Sequence, residues 1–363
     1  MKIEKILKKM GITNIEKLDF SVKEDLSRRI AEKIYGKFKN YGIKYEEIYL
    51  KLVNTEMYVA DIVPGVSKAN YIYKNASIYF DRSLDLSVLN EEILREAIYK
   101  IQEFRNKRNK IEKLGLCNFD ELKLTGSAFN EAAIQYIIYL LLEKKEEKVS
   151  AYNLTINSVS TVYPAITNIM RQMAYIAGEN YLVQSIINSN TDFKYSFMDK
   201  CNEASYAVIM KNTDLMYEAR NRIMKMNRDI LFNRKIKEEK KNAMRAKIVA
   251  FSKAIHASYI KIQKEMCICY FDKEFSKAKT IEKLEELKFK IGEYKALIGI
   301  SANDSENFFD KYSLDCYYKI ERKIEKINKN NELIAVSNSP LAKILRIIRK
   351  LFTNPDKSYD EEK

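Results

Sequence analysis

The chain has a single histidine, His256, among 363 residues, so no metal site that needs two imidazoles can be assembled from any of its positions. Proline and glycine are scarce, at four and nine residues, and none of residues 165–339 is proline. Long uninterrupted helices are expected there rather than a turn-rich sheet architecture. Five cysteines, Cys117, Cys201, Cys267, Cys269 and Cys316, are too few and too scattered for a disulfide framework, and residues 1–20 hold no apolar leader. A reducing, cytoplasmic setting is expected. The longest nearly apolar run, residues 132–142, falls well short of the roughly 20 residues that cross a bilayer. There is no Gly-rich phosphate loop, nucleophile elbow or kinase signature, so nucleotide-dependent chemistry has no foothold.

What the chain does have is apolar content ordinary for a globular protein and a large positive charge, +14 overall. The charge is uneven: residues 220–253 carry twelve Lys or Arg against three acids. Such a block attracts the phosphates of nucleic acid or of lipid, while its plainer reading is a solvated helix face in a lysine-rich chain. Tyr residues interleaved with Lys over 35–49 and 71–79 could imitate a base-stacking platform, although strand propensity explains them more simply.

Residues 1–19 read as a short amphipathic piece broken at Gly11, and residues 21–41 as a helix with Ile30, Ile34 and Phe38 on one stripe. Residues 47–53, 57–62, 70–73 and 77–80 then read as short strands separated by turn signals, which predicts a sheet of three or four strands. Asp85 or Ser87 is placed to cap a helix with Leu94, Ile98, Ile101 and Phe104 inward, running into the basic stretch 105–113. Residues 130–143 form a helix apolar on nearly all sides, hence buried. Tyr163-Pro164 opens a further helix toward Gly178, helices continue to about Ile298, and Ser339-Pro340 starts a last one over residues 341–352.

Helix, small sheet, central helix, connection and second buried helix is the order of elements in zincin metallopeptidases, which residues 44–140 resemble. Arg95-Glu96-Ala97-Ile98-Tyr99 stands where that fold carries His-Glu-x-x-His, whose imidazoles share a face because four residues turn a helix by about 400°. Gly126-Ser127-Ala128-Phe129-Asn130-Glu131-Ala132 resembles the Asn-Glu stretch that supplies the carboxylate ligand in the gluzincin branch. Residues 98–102 and 114–117 look like those of a family of uncharacterised bacterial proteins in which the intact motif is expected. The resemblance implies an α+β, mainly α fold: a small N-terminal sheet packed on zincin-like helices, followed by a long all-helical region. The corresponding division is N-terminal helices over 1–43, the zincin-like core over 44–149, a helical domain over 150–338 and an amphipathic helix with an acidic tail over 339–363.

The departures bear on function. Arg95 stays protonated and offers a metal no lone pair, and Tyr99 would need a strongly lowered pKa to bind as a phenolate. No catalytic residue, metal or cofactor is therefore expected, and Arg95, Glu96, Tyr99 and Glu131 read as a vestigial site. In that reading Arg95 puts a fixed positive charge where zinc stood, pairing with Glu131, while Tyr99 adds a hydrogen bond; the alternative is that both simply fill space or face solvent. The leading expectation is a non-catalytic pseudopeptidase that binds a protein or peptide. The alternatives are a basic nucleic-acid or membrane-surface binder and, behind it, an active peptidase with non-histidine ligands. Cys267-Ile268-Cys269 lacks the spacing of common zinc and redox motifs, and His256 reads as an interior or half-exposed side chain. In the last helix the apolar residues fall within about 160° of the wheel, with Lys343, Arg346, Arg349 and Lys350 opposite and Phe352 at the end. That helix suits an anionic membrane surface, making the protein peripheral there, or a groove on its own domain or a partner.

Overall fold

The computed structural model describes residues 3–120, 123–160, 162–233, 236–299, 308–337 and 340–352. Helix α1 (Ile3–Met10) stops at Gly11, whose φ of 77° turns the chain into β1 (Ile12–Lys17). Asp19 accepts a hydrogen bond from Ser21 N–H and starts α2 (Phe20–Phe38), which buries Leu26, Ile30, Ile34 and Phe38 on one stripe. After α3 (Tyr45–Val53) come β2 (Glu56–Ile62), β3 (Ala69–Ile72) and β4 (Ser77–Asp81). The sheet runs β1-β2-β4-β3; β2 and β4 are parallel, and β1 and β3 flank them antiparallel. β4 is covered on both faces: Ile78 and Phe80 enter the main core, whereas Tyr79 joins Leu7, Ile12, Ala60 and Ile72 beneath α1.

Two N-terminal expectations need correction. Residues 47–53 are helical, because Ile48 and Leu52 bury one face at four-residue spacing and Glu46 and Glu47 sit favourably in the first turn. The fourth strand is instead β1, which buries only Ile12 and therefore carries no alternation to betray it.

Helix α4 (Glu91–Ile101) is capped by Asn90, whose side chain accepts from Ile93 N–H at 3.0 Å. Asp85 and Ser87, the expected caps, form a turn of their own. Nor does α4 run into the basic stretch: β5 (Glu103–Arg105) and β6 (Ile111–Leu114) form a hairpin, with Asn106 Oδ1 accepting from the backbone of Arg108 and Lys110. A second hairpin, β7 (Asn118–Asp120) and β8 (Lys123–Thr125), leads into α5 (Ser127–Leu142), buried on almost every side as its composition predicts.

A third hairpin, β9 (Glu147–Ala151) and β10 (Leu154–Ser158), straddles the boundary expected near 150, so the helical region proper starts later. It comprises α6 (Pro164–Ala177), α7 (Glu179–Ile187), α8 (Asp192–Lys200), α9 (Glu203–Phe232), α10 (Glu238–Met266), α11 (Lys273–Lys277), α12 (Ile281–Ile298), α13 (Phe308–Ser337) and α14 (Pro340–Phe352). The fold is thus α+β and mainly α, with a four-stranded mixed sheet near the N-terminus and a long helical C-terminal region. α6 lies at the centre of that region. Tyr294 donates to Gln172 Oε1 and Tyr259 donates to Asn168 Oδ1, both at 2.7 Å, a buried polar ladder that fixes α10 and α12 against α6. Among the described residues no helix is long and apolar enough to cross a membrane.

Candidate functional site

Four side chains singled out in the sequence meet where α4 and α5 pack beneath the edge strand β3. Glu96 is almost fully buried on α4 and faces β3, where its Oε2 accepts from Tyr71 N–H at 2.7 Å. Its Oε1 accepts from Arg95 Nε at 2.8 Å, and Arg95 Nη2 donates onward to Ser67 Oγ at 2.7 Å. One turn along α4, the Tyr99 hydroxyl donates to Glu131 Oε2 on α5. Gln135, one turn along α5, donates to Glu131 Oε1 at 3.2 Å. The chain of bonds continues through Ser160 Oγ, which donates to Gln135 Oε1 and accepts from Tyr163 N–H.

The expected pairing of Arg95 with Glu131 is corrected here. Arg95 forms its ion pair with Glu96, and Glu131 is held by Tyr99 and Gln135. The Glu131 charge still reaches the Arg95 guanidinium through space and helps keep it protonated, although the Glu96 charge does more.

Electrostatics in the cluster follow from its dryness. Burial pushes the Glu96 carboxyl up to about 7, against the opposing pull of the Arg95 charge and the Tyr71 N–H. Burial, then the Glu131 charge, hold the Tyr99 phenol well above its usual range. Tyr99 is therefore a neutral donor and not a phenolate ligand. Tyr73 meets the Tyr99 ring edge-on at 6.0 Å and Tyr71 meets Tyr73 at 4.9 Å, so aromatic rings cover the cluster on the β3 side.

The donor set does not fit zinc. Both carboxylates already accept from protein donors, the residues at the positions where the resemblance would put imidazoles are Arg95 and Tyr99, and the one imidazole is half-buried on α10. Among the described residues no group of three His, Cys, Asp or Glu side chains converges as a metal site would.

Sequence reasoning missed several participants. Ser67 and the Tyr71 N–H come from a loop and a strand whose approach to α4 only the fold reveals. Gln135 was within reach of it, since it stands four residues from Glu131 on one helix face. A neighbouring ion pair was also missed: Glu103, with its side chain fully buried, accepts from Arg105, which also caps the Tyr73 carbonyl.

The remaining candidates scatter. Cys201, Cys267, Cys269 and Cys316 are buried in the helical core, Cys117 is half-buried, and all five are free thiols. Tyr71 and Tyr79 are interior, Tyr45 and Tyr49 are half-buried and stack on each other, and Tyr35 is exposed, so the tyrosines of the two segments do not form one open platform. Lys343 and Arg346 on α14 are exposed, as are Leu341, Ile344 and Leu345; the side chains of Arg349, Lys350 and Phe352, the cap Ser339 and the acidic tail lie outside the described residues.

No protein-family model, no curated protein and no solved structure matches the chain.

Proposed function

We propose that this chain is a non-catalytic protein of zincin-like ancestry, whose former metal centre has become a closed polar cluster and which serves to bind a protein or peptide. The reading is supported chiefly by the meeting of Glu96 and Glu131. These glutamates stand 35 positions apart in sequence, at the places a His-Glu-x-x-His helix and a gluzincin glutamate helix would supply them, and Glu96 lies one helical turn along α4 from Tyr99, the donor to Glu131. Arg95 and Tyr99 take over the neutralising role of a cation: one by charge, the other by hydrogen bonding. A buried carboxylate left without either would cost several kcal/mol. Each oxygen of the two carboxylates already accepts a hydrogen bond from the protein and Arg95 beside them offers a metal no lone pair, so the reading favours binding over metal-assisted hydrolysis.

Metal analysis and a pair of substitutions test this. The purified protein is expected to carry no stoichiometric zinc and to leave peptides uncut, while R95H/Y99H is expected to bind one zinc per chain with Glu131. Stoichiometric zinc in the unaltered protein would overturn the reading. So would a folded R95H/Y99H variant without zinc affinity, because the geometry of a former site would then be missing.

A second reading, binding through basic surfaces, is favoured by a separate observation on the α9–α10 hairpin.

A further inference from the structure

α9 and α10 pack side by side as a helical hairpin, but only their inner parts join the core. The last buried residue of α9 is Ile223 and the first of α10 is Ile255. Beyond Ile223, α9 continues for nine residues, about 13 Å at 1.5 Å per residue, and it buries none of them. At its end stand Leu231 and Phe232, 72% and 78% exposed, two successive large apolar side chains with no role in the packing. Met224, two turns earlier, is 48% exposed on the same stretch.

The surroundings of this apolar end are basic. Met224, Leu231 and Phe232 line a groove of about 520 Å³ with Lys225 and Arg228, closed on one side by Gly65 in the loop between β2 and β3. Lys225 and Arg228 make no ion pair with any described residue. Of the acids nearby, Glu238 pairs with Arg245 at 2.7 Å and Glu218 lies 3.8 Å from Arg222, which leaves Asp229 and Glu239 against the remaining cations of the segment. With all three acids of residues 220–253 subtracted, the segment still carries a local excess of nine positive charges.

Three kinds of partner could meet such a surface, and its chemistry separates them. A nucleic acid satisfies the lysines and arginines but offers nothing that would take Leu231 out of water. An acidic protein would need an apolar pocket set among its acids. An anionic bilayer supplies both layers in one surface, phosphates at headgroup depth and hydrocarbon just beneath.

We propose that the outer end of the α9–α10 hairpin docks on an anionic lipid bilayer, with Leu231 and Phe232 entering the acyl boundary and Lys225 and Arg228 among the headgroup phosphates. This site is distinct from α14, whose exposed apolar residues form a stripe along a helix and not an end. It is also independent of the reading of Glu96 and Glu131.

The chain has no tryptophan, so Phe232→Trp gives a fluorophore at the proposed depth and nowhere else. With the full chain and phosphatidylserine-containing vesicles, its emission is expected to shift to the blue and to be quenched by brominated acyl chains, whereas pure phosphatidylcholine vesicles leave it unchanged. In cosedimentation, L231D/F232D is expected to lower the partition coefficient by about tenfold or more, as losing two buried apolar side chains would. K225Q/R228Q is expected to lower it and to reduce its salt dependence. Deleting residues 339–363 is expected to leave the Phe232→Trp shift intact. Unaltered binding of L231D/F232D, or no shift at Phe232→Trp on anionic vesicles, would overturn the proposal. Loss of all vesicle binding on deleting residues 339–363 would do the same, assigning the membrane contact to α14. Binding to duplex DNA with none to vesicles would assign the basic surface to nucleic acid.

Discussion

Replacing Glu96 with glutamine removes a charge that its surroundings disfavour; the amide keeps one acceptor oxygen, for either the Tyr71 N–H or Arg95, and turns its NH2 to the other donor, a cost that does not vary with pH. The Glu96 carboxyl rises from 4.5 to about 7 on folding, because burial outweighs the Arg95 charge and the Tyr71 N–H. A carboxyl raised in this way holds its proton more tightly in the native than in the unfolded chain. Its contribution to stability is complete below pH 4.5 and is lost as pH climbs through about 7. The rise corresponds to about 3 kcal/mol, at roughly 1.4 kcal/mol for each factor of ten in the proton equilibrium. The unfolding free energy of the native protein minus that of E96Q is therefore expected to fall by about 3 kcal/mol between pH 4.5 and about pH 8. Urea denaturation followed by circular dichroism at constant ionic strength measures it, and the subtraction cancels the many surface groups that titrate in both proteins. Parallel pH profiles would refute the reasoning. A difference that grows with pH would show that the Arg95 charge stabilises the carboxylate by more than burial costs it.

Two further substitutions probe the same region. Tyr99→Phe keeps the ring against Tyr73 but removes the hydroxyl that Glu131 accepts from, and is expected to cost about 1–3 kcal/mol in urea or thermal unfolding; unchanged stability would mean that Gln135 alone satisfies that carboxylate. Gly115→Ala, at a φ of +51°, would set its Cβ 2.1 Å from Asn130 Oδ1, which accepts from Leu116 N–H; a loss above about 1 kcal/mol is expected, and none would mean that the Asn130 side chain moves aside freely.

The sequence was most legible where one physical signal acted alone. The stripe of α2 and the uniform apolarity of α5 mark helices whose burial is single-minded, and Tyr163-Pro164 marks a helix start with a fixed φ. It misled where composition and spacing disagreed: residues 45–53 are rich in strand formers, yet Ile48 and Leu52 set a helical period that packing enforced. β1, β5 and β6 were hidden because a short strand with one or two buried residues has no alternation to read, and their partners are fixed by neighbours far along the chain. β9 and β10 show the other limit. Their turn is carried by Tyr152 and Asn153, both at positive φ, and a tyrosine there gives no hint of a hairpin.

The candidate site divides along the same line. That Arg95, Glu96, Tyr99 and Glu131 belong together was an expectation carried by the resemblance, and their pairing was not legible, because two carboxylates of equal charge are told apart only by reach. By charge alone Glu96 and Glu131 are equivalent partners for Arg95. Successive residues on a helix point about 100° apart, so Glu96 turns toward β3 while Tyr99, three positions later, turns toward α5. The arginine side chain is long enough to fold back to Glu96 and Ser67, where it remains one-fifth exposed, and by doing so it keeps its charge partly hydrated. A direct pair with Glu131 would have required the guanidinium to enter the driest part of the cluster, a position the neutral phenol of Tyr99 fills at lower desolvation cost. Two side chains thus share the task of satisfying the two glutamates: a cation for Glu96 at the rim and a neutral donor for Glu131 within. An R95M variant should consequently disturb Glu96 and leave the Tyr99–Glu131 bond in place.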